Sequence, residues 1–443
     1  MSFANKSLSI FTRDIFLFIL NLFTSVVIAR KLGPELLGVW VIVMLIPGYA
    51  EAFGRSKFDL ASVFFLGKKK YTESEVVYNI NIIAIITSLF IVLLIFMFKS
   101  YLVSLLFNES KDNVIFIYAV LPLIPLNFMY LNYSYLLISR EDIKAYNFMT
   151  ILKALIGSGG ASILILIFNF GLWSVLTSNI IAVLIGFLYG RWKFNKKSKK
   201  RIFISNLNIP LIKEFFNYSY KLYLGGIVSH LNSFLMTSLL SVYLAPAKVA
   251  FYSTAQGRAS LLDKLPVAIN TLLYPRISNS EKHDAIETTI KAFKIISIFS
   301  IFSVFLVAMF IKPIVIILYG KQYLPIIAPF LIILPGVSIN GIASVFASYF
   351  TGIGRSDLIM KLSVFPLLLQ ILLGYLLITK FDILGAAMSY TVSMIIFGII
   401  QMYYFVKITG NSFKELIPVS QDYLYIYNFC VSNLKPPLKI FKK

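Results

Sequence analysis

The sequence predicts an all-α polytopic membrane protein with about twelve transmembrane helices in two parallel six-helix repeats. Three observations lead to this fold class: the composition, the lengths of the apolar runs and an internal repeat. The chain of 443 residues is 58% hydrophobic and only 14% charged, whereas soluble domains have about 25% charged residues. Apolar runs of membrane-spanning length follow one another along the sequence, so we expect a multi-pass protein.

A spanning helix needs roughly 20 mainly apolar residues, and this rule divides the chain into predicted segments. Segments 1 to 12 cover residues 11–31, 36–54, 76–98, 113–138, 145–168, 170–190, 218–244, 248–275, 288–311, 325–350, 358–379 and 384–406. Between them we expect a basic loop at residues 55–70 and short external loops, the longest at residues 99–112.

The segments predict four regions along the chain. An N-terminal six-helix lobe covers residues 1–190, and a basic cytoplasmic linker covers residues 191–214. A C-terminal six-helix lobe covers residues 215–407, and a cytoplasmic tail covers residues 408–443. The tail has apolar patches but no uninterrupted span, so we expect it at the surface, partly in the membrane interface.

The distribution of positive charge predicts the orientation of the chain. With both termini on one side, and with charges near segment ends counted with the adjoining loop, 29 of the 41 Lys and Arg residues fall on that side, 8 on the other and 4 within segments. Because positively charged loops stay in the cytoplasm, both termini are expected there. The same distribution explains the net charge of +22 without nucleic acid as a partner, although a basic excess can indicate such binding.

The residues that commonly bind metals are scarce. Cys430 is the single cysteine, which excludes an intramolecular disulfide framework and a cysteine-based zinc site. His230 and His283 are the two histidines. We therefore expect no metal site.

An internal repeat relates the two halves of the chain. Sliding the sequence against itself by about 212 residues places Pro34 on Pro246 and Glu51 on Asp263. Each half contains six predicted segments, an even number, so both halves have the same orientation in the membrane. Such parallel repeats are typical of transporters that bind their substrate between the repeats, near the bilayer midplane.

Residues 30–40 (Arg-Lys-Leu-Gly-Pro-Glu-Leu-Leu-Gly-Val-Trp) closely resemble the helix 1–2 signature of polysaccharide biosynthesis flippases. These are the O-antigen or capsule-repeat translocases of the multidrug/oligosaccharidyl-lipid/polysaccharide exporter superfamily. Further stretches that resemble this family are residues 249–255, 265–266, 273–276 and 352–355. The resemblance covers about residues 5–410, and Leu-Gly-Pro-Glu at residues 32–35 is its most specific part.

This resemblance implies a transporter rather than an enzyme, with no catalytic residues and no cofactor. In the family, two six-helix lobes form a V-shaped central cavity lined by cations. The implied substrate is an undecaprenyl-diphosphate-linked oligosaccharide, which alternating access turns to the outer leaflet for O-antigen, capsule or lipopolysaccharide synthesis. The implied location is the bacterial cytoplasmic (inner) membrane. The expected partners are the lipid-linked substrate, membrane lipids, and polymerase and other polysaccharide-assembly proteins.

A diphosphate must cross roughly 30 Å of hydrocarbon, so the protein must supply cations and hydrogen bonds to it. Arg suits this role because its planar guanidinium binds phosphate oxygens in pairs. The candidate substrate-binding cations lie within or at the edges of segments and are Arg258, Lys264, Arg30, Arg55, Lys153 and Lys221. Arg258 and Lys264 are favoured because both lie in segment 8. The alternative for each is snorkelling to the interface or pairing with an acid.

Glu51 and Asp263 are candidates for binding a coupling proton or sodium ion, because a carboxylate buried in a membrane can titrate near neutral pH. The simpler alternative is an ion pair of Glu51 with Arg55, and of Asp263 with Lys264 or Arg258. Polar residues inside segments are candidate sugar contacts, although hydrogen bonds between helices are their commoner use. They are Asn21, Asn232, Asn270, Asn340 and Gln370.

The glycine-rich stretch at residues 157–161 lacks the Lys-Ser/Thr ending of a phosphate loop, so we interpret it as close helix packing. Aromatic residues near segment ends are interpreted as anchors in the membrane interface. They are Tyr71, Trp173, Trp192 and Tyr323.

Two other functions stay open from the sequence. A multidrug/cation antiporter of the same superfamily would share the twelve helices and the parallel halves. A membrane enzyme of glycan assembly, a polymerase or ligase, usually needs a large external loop with catalytic residues. The short external loops predicted for this chain disfavour such an enzyme.

Overall fold

The computed structural model describes residues 3–107, 113–196 and 206–419, and within these ranges it contains helices and no strand. The linker residues 197–205, Cys430 and the tail from residue 420 lie outside the described residues. The α-helices α1 to α15 cover Phe3–Gly54, Phe58–Gly67, Glu73–Met97, Lys99–Phe107, Val114–Val120, Leu123–Ser139, Ile143–Ala154, Gly160–Phe168, Leu172–Lys196, Ile209–Tyr243, Pro246–Ala259, Lys264–Ser278, Lys282–Tyr319, Ile327–Gly352 and Ser356–Thr409.

Two of these helices are long enough to cross a membrane twice. α1 has 52 residues and α15 has 54, whereas one crossing takes about 20. Each contains a break in its backbone, at Gly33 (φ 74°, ψ 174°) and at Asp382 (φ 58°, ψ −136°). Glycine adopts a positive φ without steric cost, and the residue before a proline such as Pro34 is pushed out of the helical region. α1 therefore contains segments 1 and 2, and α15 contains segments 11 and 12.

Eight helical stretches in the described part of the chain are long and apolar enough to cross a membrane. Two of them are the broken helices α1 and α15, which supply two segments each. The remaining segments, 7 and 8, correspond to α10 and to α11 with α12. Each predicted segment therefore has a helical counterpart, and the predicted all-α, multi-pass fold class is confirmed.

The prediction of a basic loop at residues 55–70 is wrong for residues 58–67, which form the apolar helix α2. With 10 residues, α2 is too short to be found by a rule that requires about 20. Lys57 precedes it in a left-handed conformation, with φ 56°, and separates α2 from α1. Another short helix, α4, occupies the described start of the connection at residues 99–112.

Helices that the sequence predicts as continuous contain local changes of winding. A π-helical turn at Leu155–Gly159 joins α7 to α8, and a 3₁₀ turn at Ser260–Asp263 joins α11 to α12. Gly157 packs closely against α9, since an added Cβ would lie 3.3 Å from the Ala182 Cβ. The glycine-rich stretch thus serves close helix packing, as the sequence predicts.

The chain divides into two compact units. The first contains Met1–Ser253 and Ile316–Tyr323, and the second contains Thr254–Val315 and Leu324–Lys443. α10, which the sequence repeat assigns to the second half of the chain, belongs to the first compact unit.

Polar contacts explain why α10 groups with the first unit. Near its start, the Lys70 ammonium donates a hydrogen bond to the Glu214 carboxylate at 2.7 Å, and this bond lowers the pKa of Glu214 below its usual range. Further along α10, the Tyr223 hydroxyl donates to the Phe53 carbonyl at 2.6 Å. These contacts connect α10 with the end of α1 and with the loop after α2.

The second unit has an apolar core built from α12 to α15. The Phe346 and Phe405 rings pack with their centroids 4.8 Å apart, and Tyr349 packs on Phe405 at 5.0 Å. Leu416, in the described start of the tail, is 3% exposed and belongs to the same core. The tail therefore begins with a residue anchored in the second unit.

Replacing Gly38 with Ala should destabilise the first unit, because a Cβ on Gly38 would collide with the backbone carbonyl of Pro246. Overpacking of this kind costs about 1–3 kcal/mol, so thermal unfolding of the detergent-purified protein should begin at a lower temperature. Gly225→Ala is the matched control, since an added Cβ there meets no atom within 4 Å and Ala favours a helix by about 1 kcal/mol. Equal unfolding midpoints for the two variants would contradict this packing.

Candidate functional site

A cluster of charged residues lies in the first unit where α1 ends and α2 begins. Glu51 is in the last turn of α1, Arg55 follows its end, and Asp59 is in the first turn of α2. Arg55 is four residues from each acid, the spacing at which helical side chains meet. A carboxylate in the first turn of a helix is also stabilised by the helix dipole, which favours Asp59 at this position.

The Arg55 guanidinium binds both carboxylates. Its Nη1 donates to Glu51 Oε1 at 3.2 Å, and its Nη2 donates to Asp59 Oδ2. Arg55 is 7% exposed and Asp59 2%, whereas Glu51 is 25% exposed. Burial removes the water that would otherwise solvate the Arg55 charge, so this charge needs partners within the protein. The two carboxylates together supply them.

Glu51 has further polar and charged neighbours from other helices of the same unit. The Asn127 side chain on α6 donates to Glu51 Oε2 at 3.2 Å. Lys153 on α7 and His230 on α10 are close enough to interact electrostatically with the Glu51 carboxylate. The Lys153 ammonium also lies 4.2 Å from the centroid of the Tyr130 ring. We call Glu51, Arg55, Asp59, Asn127, Lys153 and His230 the Glu51 cluster.

A different polar group lies in the second unit, around Asp263. Asp263 ends the 3₁₀ turn between α11 and α12, and its Oδ1 atom is buried without a hydrogen-bond partner among the described residues. The backbone of Gly341 on α14 approaches it so closely that an added Cβ would lie 2.8 Å from Asp263 Oδ1. Tyr390 on α15 is close enough to interact electrostatically with the Asp263 carboxylate.

Asn270 lies on α12, two turns after Asp263. Its amide donates to the Ser344 hydroxyl at 2.5 Å, and that hydroxyl donates to the Gly341 carbonyl at 2.5 Å. The Asn270 Oδ1 atom is buried and, within the described part of the chain, lacks a donor. Each of the two residues thus offers an acceptor oxygen: a proton or a cation would satisfy the Asp263 carboxylate, and a cation or a hydrogen-bond donor would satisfy the Asn270 amide.

Arg30 binds the end of another helix in the first unit. Its Nε donates to the Leu318 carbonyl at 2.8 Å, and its Nη2 donates to the Ile317 carbonyl. Both carbonyls belong to the last turn of α13, where they have no partner within the helix. A cation at this end also complements the helix dipole, so the structure gives Arg30 the role of a helix cap.

The prediction that Tyr323 is an interfacial anchor is wrong. Its side chain is 0% exposed, and its hydroxyl donates to the Ala29 carbonyl at 3.0 Å. Trp173 and Trp192, in contrast, are 40% and 53% exposed, as an interfacial location requires.

The other predicted site residues lie in varied surroundings. Lys264 and Lys221 are exposed, and Arg258 and Asn340 are half-buried. Asn21 accepts a hydrogen bond from the Ser158 hydroxyl at 2.8 Å, and Asn232 donates to the Val228 carbonyl one turn earlier at 3.0 Å. Gln370 is fully buried, and its backbone carbonyl accepts a bond from Ser389.

The structure therefore places Glu51 beside Arg55 and near Lys153 in the first unit. In the second unit it places Asp263 and Asn270 two turns apart, each near Gly341 of α14. Sequence reasoning missed Asp59, Asn127 and His230 as members of the Glu51 cluster. Asp59 carried a usable signal, since it follows Arg55 by four residues, but residues 55–70 were predicted to be a loop. Asn127 carried no such signal, because it lies 76 residues from Glu51 in the chain.

Comparisons with known proteins agree with this architecture. Residues 27–328 match a family model described as polysaccharide biosynthesis protein. A putative O-antigen transporter of Shigella flexneri is 22% identical over 380 residues, which cover 83% of this chain and 89% of the relative.

Solved structures share the fold over most of the chain. The lipid II flippase MurJ in an inward closed conformation is similar with a TM-score of 0.76 and 18% identity, covering 98% of this chain and 94% of that one. An inward-facing multidrug resistance MATE family transporter of the MOP superfamily is similar with a TM-score of 0.74 and 13% identity, covering 89% and 94%.

The apolar helices define a multi-pass membrane protein, a class in which buried charges mark functional sites, and its fold is one that transporters share. The family model matches more than half of the chain. The chain belongs to the polysaccharide biosynthesis protein family, and the family resemblance seen in the sequence is confirmed.

Replacing Arg30 with Ala should lower the thermal stability of the purified protein, because it removes the cap from two carbonyls at the end of α13. Hydrogen bonds to a charged group contribute on the order of 1 kcal/mol or more. Lys31→Ala is the control, since it removes an equal charge from the adjacent exposed position. An Arg30→Ala midpoint equal to that of Lys31→Ala would show that the cap contributes nothing.

Proposed function

We propose that this protein is a flippase that translocates an undecaprenyl-diphosphate-linked oligosaccharide repeat unit across the cytoplasmic membrane. Alternating access would deliver the repeat unit for O-antigen or capsule synthesis. The observation that carries the proposal is the match to the polysaccharide biosynthesis family over residues 27–328. The relative named as a putative O-antigen transporter supports the same substrate class.

Cations within the apolar helices are the proposed contacts for the diphosphate. In the first unit these are Arg55 and Lys153, which lie at the Glu51 cluster. In the second unit they are Arg258 and Lys264, at the turn between α11 and α12. Guanidinium and ammonium groups supply the charge-assisted hydrogen bonds that a phosphate loses when it leaves water.

Transport against a gradient would need an energy source, and we propose coupling to a proton or sodium gradient. Glu51 is already paired with Arg55, which favours the ion-pair interpretation for this acid. Asp263 and Asn270 have buried acceptor oxygens without donors in the described structure. These oxygens make the Asp263 site the stronger candidate for the coupling ion.

A multidrug/cation antiporter is the second candidate function. It is favoured by the fold shared with the MATE family transporter, at a TM-score of 0.74. Fold alone does not determine substrate, and the family match favours the polysaccharide branch. Lipid-linked oligosaccharide therefore remains the preferred substrate.

The proposed location is the bacterial inner membrane, and the excess of Lys and Arg on one predicted side supports an orientation with both termini in the cytoplasm. Polymerase and other polysaccharide-assembly proteins are the proposed partners. A reporter fused after Lys443 should be active when it is of the cytoplasmic type and inactive when it is of the periplasmic type. The reverse pattern would overturn the proposed orientation.

Deleting the gene should abolish the surface polymer and leave lipid-linked repeat units in the inner leaflet, because the substrate would be made but not translocated. Gel analysis of surface polysaccharide and mass spectrometry of extracted lipids measure the two effects. Normal polymer in a strain with no redundant transporter would refute the proposed function.

Complementation of the deletion provides the control. The wild-type gene should restore the polymer, and Lys264→Ala or Arg258→Ala should restore less of it at equal protein level. Full restoration by both variants would remove these two cations from the substrate site.

A further inference from the structure

The two carboxylates on Arg55 differ in their access to solvent. Asp59 is 2% exposed and Glu51 is 25% exposed, although both bind the same guanidinium. Of the two carboxylates on Arg55, Glu51 is therefore the one with more contact with solvent.

The donors around Glu51 are those that a phosphate group would use. Glu51 accepts one hydrogen bond from Arg55 Nη1 and another from Asn127 Nδ2, each at 3.2 Å. Its charge also acts on the Lys153 ammonium. Carboxylate and phosphate oxygens accept the same charge-assisted bonds from a guanidinium fork, so the two anions would compete for this position.

Asp59 is held on Arg55 more firmly than Glu51 is. It is anchored in the first turn of α2, and its own backbone carbonyl accepts a hydrogen bond from the Ser62 hydroxyl at 2.6 Å. Its Oδ2 atom binds Arg55, whereas its Oδ1 atom is buried without a partner in the described structure. Moving Asp59 away would leave a buried carboxylate without compensation, which is strongly unfavourable.

We propose that Glu51 is an internal competitor for the anionic headgroup, and that Asp59 is a positioning residue that holds Arg55 while Glu51 is exchanged for a phosphate. This inference rests on the proposed function for the identity of the anion. The exchange replaces one anion on Arg55 by another, so the guanidinium keeps two partners throughout. Return of Glu51 to Arg55 and Asn127 then promotes release of the phosphate.

Binding of inorganic pyrophosphate to the purified full-length protein, measured by calorimetry, tests this exchange. Glu51→Gln should bind pyrophosphate about tenfold more tightly than the wild type, because the neutral amide is a weaker competitor for Arg55. Asp59→Asn is the matched control, since it removes the same charge from the same guanidinium. It should not bind more tightly than the wild type, because Arg55 is then held less firmly.

Two results would overturn the proposal. Equal tightening in both variants would mean that net charge alone governs binding, and unchanged or weaker binding in Glu51→Gln would mean that Glu51 does not compete. Thermal melts followed by circular dichroism establish that the variants are folded. If Glu51→Gln is not folded, Glu51→Ala takes its place.

Transport provides an independent readout that a purely structural role would not reproduce. Glu51→Gln should slow polymer export in the complemented deletion strain while it tightens pyrophosphate binding, since release is impaired. Export at the wild-type rate together with tighter binding would refute the role in release. The failure of the proposed function and the failure of this inference are distinguishable. Normal polymer in the deletion strain would refute the proposed function, whereas the competition at Arg55 is decided by the calorimetric comparison, which does not depend on the polymer.

Discussion

The attachment of two carboxylates to Arg55 is the interaction on which the first unit depends. It joins the last turn of α1 to the first turn of α2, across the left-handed residue Lys57. Breaking a buried ion pair by removing one partner costs about 3–5 kcal/mol, so this connection strongly restrains the direction of α2. The Phe65 ring of α2 then stacks on Phe215 with a centroid distance of 4.8 Å. α10 thus packs against a helix whose direction is restrained by a charge interaction near the end of α1.

The two acids related by the sequence repeat have come to occupy different environments. Glu51 is bound by a guanidinium and an amide, whereas Asp263 keeps one buried oxygen without a donor in the described structure. A buried oxygen without a donor is unfavourable, so Asp263 rather than Glu51 lacks a partner that a bound cation could supply. Equivalent positions in a repeat thus do not carry equivalent chemistry. The contacts made by other helices determine what each acid can bind.

Much of the architecture could be predicted from the sequence because spanning length and hydropathy are local properties. The break at Gly33 was readable from the Gly-Pro pair, and the repeated acids identified both polar groups. Arg30 shows where sequence reasoning ends, since the carbonyl it caps belongs to Leu318, 288 residues later. α2 and Tyr323 were misassigned for a similar reason: a short apolar helix and a buried tyrosine are stabilised by tertiary contacts, which hydropathy does not record.

The first unit is formed by two stretches that are separate in the chain, and this has a consequence for biosynthesis. Residues 316–323 belong to it although they follow Ser253 by roughly 60 residues of the second unit. Chains emerge from the ribosome at about 5–20 residues per second, so an interval of several seconds separates the two contributions. During that interval Arg30 has no helix end to cap and Ala29 has no tyrosine hydroxyl to bind. The nascent protein must therefore pass through a stage at which its N-terminal unit is inserted but incomplete.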